Sequence, residues 1–172
     1  FPVALFGAIK AGLIVVNTNP LYTEREMKHQ FKDSGAKAIV IFANFACHLE
    51  KIIDETNIEH VIVTELGDLF PSFKRILVNS VVKYVKKMVP PYKLPQAKSF
   101  LTCIEEGKQF DYKPAQTTRE DIAFLQYTGG TTGVAKGAML TNGNVIANMN
   151  QIFAWMAPKF VEGKEIIVTP LP

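Results

Sequence analysis

The chain has 172 residues, carries a formal net charge of +3 at pH 7, and is 48% hydrophobic and 20% charged. This length and composition predict a globular protein with a hydrophobic core and exclude a disordered chain. Cys47 and Cys103 are too few for a disulfide framework, and His29, His48 and His60 are too dispersed for a metal site, so we expect reduced thiols and packed or solvated imidazoles. No apolar run reaches the ~18 residues of a spanning helix, which predicts a cytoplasmic protein.

Helices and strands alternate through the first 68 residues. Thr23 and Glu26 have the spacing of a capping box, and Gly35 suits the left-handed position that ends a helix. The first predicted helix is expected to be buried, because Lys10 is its only charged residue. Predicted helices cover 2–11, 24–34 and 46–55, the last with Leu49, Ile52 and Ile53 facing inward, and predicted strands cover 13–16, 36–42 and 60–64. This alternation predicts an α/β fold with mostly parallel strands.

Positive charge is concentrated in residues 69–104, which contain seven basic residues and no Asp or Glu. A helix predicted over 71–89 would gather its polar side chains in one arc, opposite an apolar side. Either this helix binds an anionic membrane surface through its basic residues, or it packs on its own domain with a solvated basic face. The basic residues of the arc are Arg75, Lys83, Lys86 and Lys87, and the arc also contains Asn79 and Ser80. A short helix at 99–106 and a polar linker at 107–120 are predicted next.

A segment rich in glycine and threonine follows a predicted strand at 122–127. Glycine allows successive backbone N–H groups to turn toward an anion, threonine hydroxyls add donors, and Lys136 adds a positive charge that can reach phosphate oxygens. A Walker A loop is excluded, because Lys136 precedes Gly137 and Ala138 stands where that loop needs a magnesium-binding hydroxyl. The segment therefore predicts either a polyphosphate-binding loop or a glycine-rich hairpin between two strands.

The order of residues in this segment carries more information than its composition. Residues 127–137 read Tyr-Thr-Gly-Gly-Thr-Thr-Gly-Val-Ala-Lys-Gly, and Leu140, Thr141 and Asn144 follow. This order resembles the phosphate-binding loop of the adenylate-forming superfamily, which includes acyl-CoA synthetases, luciferases and the adenylation domains of peptide synthetases. Ala135 replaces the usual proline, Asn142 replaces the usual histidine, and Gly129 is similar to the bacterial long-chain fatty acid–CoA ligases. Weaker matches to the family's N-terminal domain lie at 6–12, 19–20 and 33–37.

The resemblance implies that the segment binds the phosphates of ATP. The expected ATP-binding residues are Tyr127, Thr128, Gly129, Gly130, Thr131, Thr132, Gly133, Val134, Ala135, Lys136, Gly137 and Ala138. Thr131 and Thr132 are expected to donate side-chain hydrogen bonds, and Thr132 and Lys136 are expected to be catalytic, with Lys136 near the leaving pyrophosphate. The implied substrates are ATP, a long-chain fatty acid and coenzyme A. The implied metal is Mg²⁺, which, like coenzyme A, is expected to bind mainly outside this chain.

The resemblance also implies that the chain is an internal part of a longer enzyme. The family's adenine-binding stretch, magnesium-binding glutamate, ribose-binding aspartate and C-terminal lysine all lie beyond Pro172, so we expect the chain alone to be inactive. We divide it into 1–68, 69–120 and 121–172, all within one partial domain. Two alternatives stay open: an adenylate-forming enzyme for a different acid, and a non-catalytic module that binds membranes or partners through the basic helix.

The residues after the loop give further expectations. Thr141 can cap a helix that ends before Pro158, although residues 142–143 could form a separate turn first. Phe153 and Trp155 on this helix are expected to pack in the core, while the resemblance offers the acyl site as the alternative. A last strand is predicted over 166–172. Apolar surface and unpaired strand edges at the two ends of the chain predict self-association.

Overall fold

The protein is described by a computed structural model that covers residues 1–128, 135–161 and 163–166. Its α-helices are α1 (Pro2–Lys10), α2 (Glu24–Ser34), α3 (Ala46–Ile52), α4 (Ser72–Ser80), α5 (Phe100–Gly107) and α6 (Asn142–Met156). Its strands are β1 (Val15–Val16), β2 (Ala38–Phe42), β3 (His60–Thr64), β4 (Lys98–Ser99), β5 (Ile122–Thr128) and β6 (Lys136–Thr141).

The described strands form two three-stranded sheets, with the orders β1-β5-β6 and β2-β3-β4. Each neighbouring pair is parallel except β5 and β6, which are antiparallel. The predicted α/β fold with mostly parallel strands is therefore confirmed. Strands β1 and β2 each begin two residues later than predicted, and the two-residue strand β4 is too short to show an alternating pattern in the sequence.

Helix α2 begins and ends at the residues that the sequence predicts. Thr23 Oγ1 accepts a hydrogen bond from Glu26 N, and the Glu26 carboxylate accepts one from Thr23 N, so the predicted capping box is present. Gly35 follows the helix with a φ of 64°, in the left-handed region that favours glycine. Local signals at both ends therefore fix the length of this helix.

The main hydrophobic core lies between α2, α3 and the β2-β3-β4 sheet. Its buried members are Met27, Phe31, Ile41, Ala46, Leu49, Ile52, Ile53, Ile58, Val61 and Leu94. The inward direction predicted for Leu49, Ile52 and Ile53 is confirmed. Burying one large aliphatic or aromatic side chain contributes about 1.5–3 kcal/mol, so this cluster holds α2 firmly against its sheet.

Two apolar helices are more exposed than their sequences predict. Within the described part of the chain, α1 has no buried residue, and Phe6 is exposed on its outer side, so the predicted burial of α1 is wrong. The predicted core packing of Phe153 and Trp155 on α6 is also wrong, since Trp155 is 81% exposed and Phe153 is exposed as well. An apolar sequence indicates that a helix face favours burial, but it does not show that a neighbouring element is present to bury it.

The basic segment is not the single α-helix predicted over 71–89. Helix α4 ends at Ser80 and runs into the π-turn Val81–Val85. Shortly after it, Lys87 has a φ of 53°, a left-handed conformation that ends the helical path. A π-turn contains more residues per turn than an α-helix, so an arc calculated from 100° per residue does not continue through it.

The orientation of the basic segment also differs from the prediction. Asn79, part of the predicted polar arc, faces the protein: its Oδ1 accepts from Gly67 N and its Nδ2 donates to Glu65 Oε2, both at 2.8 Å. Leu77 and Tyr84, from the predicted apolar side, are exposed instead. The alternative in which the apolar side packs on the protein and the polar arc faces solvent is therefore wrong, because the hydrogen bonds to Gly67 and Glu65 turn Asn79 inward.

Helix α6 begins directly after β6. Asn144 N donates to Thr141 Oγ1 at 3.2 Å and Thr141 N donates to Asn144 Oδ1 at 3.0 Å, which confirms Thr141 as the cap. Asn142 and Gly143 form the first turn, so the alternative of a separate turn is wrong. Of the strand predicted over 166–172, everything after Ile166 lies outside the described residues. Among the helices that are described, none has the length and apolar character needed to cross a membrane.

Candidate functional site

The candidate phosphate-binding segment connects the two strands of the β5–β6 hairpin. Thr128, the last residue of β5, pairs with Lys136, the first residue of β6. Opposite residues in an antiparallel pair have Cα atoms about 5 Å apart, so these two predicted site residues lie side by side. Six predicted site residues between them lie outside the described residues: Gly129, Gly130, Thr131, Thr132, Gly133 and Val134.

Lys136, the predicted catalytic cation, is exposed at this end of the hairpin. Of the six ion pairs that form between described residues, none includes Lys136. Ala138 points to the same face of β6, because side chains two residues apart on a strand share a face, and it is also exposed. This face of β6 therefore carries one positive charge, that of Lys136, at the end of the strand next to the candidate segment.

Tyr127 anchors the start of the segment from inside the protein. Its side chain is 6% exposed, and its hydroxyl donates a hydrogen bond to Asp33 Oδ2 at 2.6 Å. Burial, together with the hydrogen bond to Asp33, raises the pKa of Tyr127 to about 12. The phenol therefore keeps its proton at neutral pH and remains a donor to the Asp33 carboxylate.

Gly137 is required by space at the other strand of the hairpin. It lies directly opposite Tyr127 in the β5–β6 ladder. A Cβ at position 137 would lie 2.9 Å from Cε2 of the Tyr127 ring, closer than side-chain carbons pack. The glycine therefore lets the Tyr127 ring cross the hairpin on its way to Asp33.

His29 contacts the end of the segment. Its Nε2 lies 3.0 Å from the carbonyl oxygen of Ala135, and because a carbonyl only accepts, the imidazole donates this hydrogen bond. His29 and Asp33 are four residues apart on α2, so their side chains project from the same face of the helix. One helix thus contacts both Tyr127, which precedes the segment, and Ala135, which ends it.

The same face of α2 borders an open depression of about 490 Å³. Its lining residues are Arg25, Lys28, His29, Lys32 and Asp33. Lys28 pairs with Glu55, while the depression as a whole carries more positive than negative side chains. Positive potential beside the ends of the segment favours an anionic ligand there.

The described residues provide no set of ligands for Mg²⁺, the metal that the resemblance implies. Among residues 1–128, 135–161 and 163–166, no three His, Cys, Asp or Glu side chains lie close enough together to hold a metal ion. Mg²⁺ prefers carboxylate and water oxygens in an octahedral arrangement. The described residues therefore offer hydrogen-bond donors and positive charge for an anion, and no metal centre.

Sequence reasoning missed His29 and Asp33 as parts of this site. It treated His29 as a packed or solvated side chain, and Asp33 only as one position in a weak family match. The available signal was their spacing of four residues on a helix with clear caps. Their partners lie 106 and 94 residues away in the sequence, so only the fold identifies them.

The sequence is similar to those of known enzymes along its whole length. Residues 1–172 match the family described as AMP-binding enzyme. The chain is 56% identical over 172 residues to the long-chain-fatty-acid–CoA ligase of Escherichia coli O157:H7, and 58% identical over 161 residues to that of Haemophilus influenzae (strain ATCC 51907 / DSM 11121 / KW20 / Rd). These matches cover 100% and 94% of this chain. They cover 31% and 28% of the two ligases, so the chain spans less than a third of their length.

Solved structures show the same fold. A long-chain-fatty-acid-CoA ligase from Archaeoglobus fulgidus matches 88% of this chain and 24% of its own, with a TM-score of 0.59 and 24% identity. An anthranilate CoA ligase in complex with anthranoyl-AMP matches 81% of this chain and 22% of its own, with a TM-score of 0.60 and 25% identity. The arrangement of helices around two small sheets is thus found within larger enzymes.

Proposed function

The chain belongs to the AMP-binding enzymes, and we propose that it forms the ATP-phosphate-binding part of a long-chain fatty acid–CoA ligase. Such an enzyme joins a fatty acid to AMP and then transfers the acyl group to the thiol of coenzyme A. The identity of 53–58% to long-chain ligases of enteric bacteria and Haemophilus supports this substrate class. The anthranilate CoA ligase that shares the fold binds an acyl-adenylate, which supports the first step.

The chemistry explains why a phosphate-binding segment is needed. In the first step a carboxylate oxygen attacks the α-phosphorus of ATP, and the bond from that phosphorus to the bridging oxygen breaks as pyrophosphate leaves. Both reactants are anions, so the protein must hold them together and offset the charge of the departing phosphates. We assign the charge to Lys136 and the hydrogen bonds to backbone N–H groups and hydroxyls of residues 128–133, with Thr131 and Thr132 as side-chain donors.

The observation that carries the proposal is the pairing of Thr128 with Lys136, at the end of the hairpin where the candidate segment connects the two strands. It places a hydroxyl and an exposed ammonium group at the two ends of a segment with the superfamily's order of residues. The test is ATP–pyrophosphate exchange by the complete gene product, with a panel of acids of different chain length. Lys136→Ala should slow exchange at limiting ATP, whereas Lys113→Ala, which removes an exposed linker lysine, should not.

An unchanged rate in Lys136→Ala would contradict the role of the segment. The acid panel separates the alternatives within the family, because exchange only with short, aryl or amino acids would replace the long-chain assignment. An absence of exchange with every acid would favour a non-catalytic module.

We further propose that the 172 residues alone do not form acyl-CoA, and turnover by the purified chain would contradict this. Coenzyme A and Mg²⁺ enter the proposal as requirements of the whole ligase.

We also propose that the surface of α4 binds an anionic membrane, from which a ligase of this kind would collect its fatty acid. Phe73, Ile76 and Leu77 of α4 are exposed, with Phe73 80% exposed, and they follow the spacing of one helix face. Basic residues are close to this apolar stripe in the sequence: Lys74 and Arg75 lie within α4, and Lys83, Lys86 and Lys87 come after it. Apolar side chains that enter the lipid interface, with lysines near anionic headgroups, are typical of helices that lie on membranes.

Liposome binding tests the membrane proposal. The triple variant Lys83→Glu, Lys86→Glu and Lys87→Glu should lose its salt-sensitive binding to vesicles that contain anionic lipid. A control with the same charge change at the exposed Lys113, Lys159 and Lys164 should retain it. Equal binding by the two triple variants would contradict the proposal. We accordingly propose that the protein is cytoplasmic and associates with the inner face of the membrane, which fractionation of cells measures.

We also propose that this chain self-associates and that its first and last parts belong to one domain. The exposed apolar side chains of α1 and α6 support self-association of this chain, which light scattering would show as a mass that rises with concentration. The pairing of β1 with β5 supports placing 1–68 and 121–172 in one domain, with 69–120 as an insert.

A further inference from the structure

We propose that His29 and Asp33 of α2 are positioning residues, which fix the two ends of the phosphate-binding segment and thereby set the affinity for ATP. Asp33 holds Tyr127 at the start of the segment, and His29 holds Ala135 at its end. This inference deepens the proposed function and rests on it. The family resemblance implies no role for either side chain.

The contact between Asp33 and Tyr127 is the stronger of the two. A hydroxyl that donates to a carboxylate forms a short, charge-assisted hydrogen bond, and the 2.6 Å distance is typical of that class. The Tyr127 ring is buried and crosses over Gly137, so it can move only if the hairpin moves. Asp33 therefore restrains both strands of the hairpin through one side chain.

The contact between His29 and Ala135 restrains the backbone itself. The imidazole donates to a main-chain carbonyl at the last residue before β6. A hydrogen bond to a carbonyl fixes the orientation of that peptide plane. Because Lys136 follows directly, the plane of Ala135 also sets the direction from which the Lys136 side chain leaves the backbone.

Helix α2 is rigid enough to serve as the support for these contacts. Met27 and Phe31 anchor it in the core against the β2-β3-β4 sheet, and its ends are fixed by the capping box and Gly35. Gln30, which is 1% exposed, donates from Nε2 to the carbonyl of Asn17, just after β1. The helix therefore packs on one sheet and forms three hydrogen bonds in or next to the strands of the other, at residues 17, 127 and 135.

The contacts to Tyr127 and Ala135 hold the neighbouring Thr128 and Lys136 in place before ATP binds. A site whose binding groups are already held in place binds its ligand more tightly, because less conformational entropy is lost on binding. The effect should appear mainly in the KM for ATP and in the affinity for pyrophosphate. The KM for the fatty acid should change little, since neither side chain contacts a surface that we assign to the acid.

The test compares kinetic constants of variants in the complete gene product. His29→Ala and Asp33→Ala should each raise the KM for ATP by about threefold to tenfold, as expected for one lost hydrogen bond. His29→Gln should restore most of the affinity, because the glutamine amide can donate to the Ala135 carbonyl. Asp33→Ala combined with Tyr127→Phe should be no worse than the more impaired of the two single variants, because both remove the same hydrogen bond.

His48→Ala is the matched control. His48 also hydrogen-bonds a residue of α2, Glu24, but at the end of the helix far from the segment. Its removal should leave the KM for ATP unchanged. If His48→Ala raises this KM as much as His29→Ala does, the effect is a general weakening of α2 and the positioning role is wrong. A lowered melting temperature in His29→Ala and Asp33→Ala with an unchanged KM for ATP would overturn it in the same way.

The outcomes also separate this inference from the proposed function. If Lys136→Ala slows exchange while His29→Ala and Asp33→Ala keep the wild-type KM for ATP, only the positioning role fails. If the wild-type protein activates no acid, calorimetric titration with ATP and with pyrophosphate replaces kinetics as the readout. Weaker binding by both variants, with His29→Gln restored, then supports the positioning role without the ligase assignment. No binding of either anion by the wild-type protein overturns both.

Discussion

Helices α2 and α4 are both short and both carry charged and apolar residues, yet the structure uses them in different ways. Helix α2 has a capping box, a left-handed glycine at its end and three buried side chains, Met27, Gln30 and Phe31. Helix α4 begins after Pro71 without a capping hydrogen bond from any described side chain, has no buried residue among those described, and ends in a π-turn. One helix supports the candidate site, and the other presents a surface.

The difference shows what turns an amphipathic sequence into a fixed structural element. Caps determine where a helix begins and ends, and a core determines which face is turned inward. Helix α2 has both, whereas the inward contacts of α4 include a polar side chain, Asn79, which bonds to Gly67 and Glu65. The apolar stripe of α4 does not pack against a core of the described residues and is exposed, so it can contact a lipid surface. This exposure is the physical basis of the membrane proposal.

The largest expected effect compares one phenylalanine from each helix. Phe31 on α2 is 3% exposed and belongs to the core, so Phe31→Ala should lower the free energy of unfolding by about 3–5 kcal/mol. Phe73→Ala on α4 should change it by less than about 0.5 kcal/mol, because that side chain is already in water. Urea denaturation of the complete gene product measures both, and similar losses would show that α4 also packs against a core.

The next effect tests the link between α2 and the hairpin through pH. The pKa of Tyr127 is raised to about 12, mainly by burial and then by Asp33. An unfolded tyrosine ionises near pH 10, so its contribution to stability is complete below that pH and is lost as pH rises toward 12. The loss amounts to about 2–3 kcal/mol.

Denaturation midpoints between pH 9 and 12 measure this loss. Tyr127→Phe should be less stable at neutral pH and should show a flatter decline in alkali, because it has no proton to release. Tyr84→Phe is the control on the side of α4, where the ring is exposed, and it should follow the wild-type curve. A wild-type alkaline slope in Tyr127→Phe would mean that the pKa of Tyr127 is not raised in the folded protein.

These contrasts also explain how far the sequence could predict the fold. The bounds of α2 and the course of β3 and β5 follow from signals within a few residues, such as Thr23 with Glu26, or a run of β-branched residues. The same local signals were absent from α4, where the predicted helix continued through Val81–Val85 although the structure forms a π-turn there. Local chemistry predicts an element well only when the element's ends are also determined locally.

The residues of the candidate site also differ in whether local sequence predicts them. Its candidate phosphate-binding residues, such as Lys136, were predicted from the order of residues in one short segment, and their roles in ATP binding stay a prediction. His29 and Asp33 could not be predicted, because each meets a partner about a hundred residues away, as the register of β5 and β6 and the packing of α2 bring them together. Contacts of this kind depend on the whole fold, and the sequence indicates only that the two residues share one face of a capped helix.

A smaller effect concerns the glycine that ends α2. Gly35 has a φ of 64°, so Gly35→Ala should cost about 1–2 kcal/mol, although an added Cβ would meet no atom within 4 Å. Gly107 at the end of α5 also has open space and no positive φ, and Gly107→Ala should raise stability by about 0.5–1 kcal/mol. Thermal melting measures the two shifts, and a loss in both variants would indicate that crowding, not backbone conformation, decides them.

The smallest effect separates the two helix starts. Thr23→Ala removes the capping box of α2 and should cost about 1 kcal/mol, or roughly 2–4 °C in melting temperature. The hydrogen bond from the Thr23 hydroxyl, with that from its backbone N–H, lowers the pKa of Glu26, so this contribution is present above the unfolded pKa of a glutamate and disappears as pH falls through the lowered value. Melting temperatures of Thr23→Ala and wild type should therefore draw closer from pH 7 to pH 3, where the pH-independent hydrogen bond from Glu26 N to Thr23 Oγ1 still separates them. Ser72→Ala, at the uncapped start of α4, should match wild type throughout, and a pH-independent gap for Thr23→Ala would show that Glu26 takes no part in the cap.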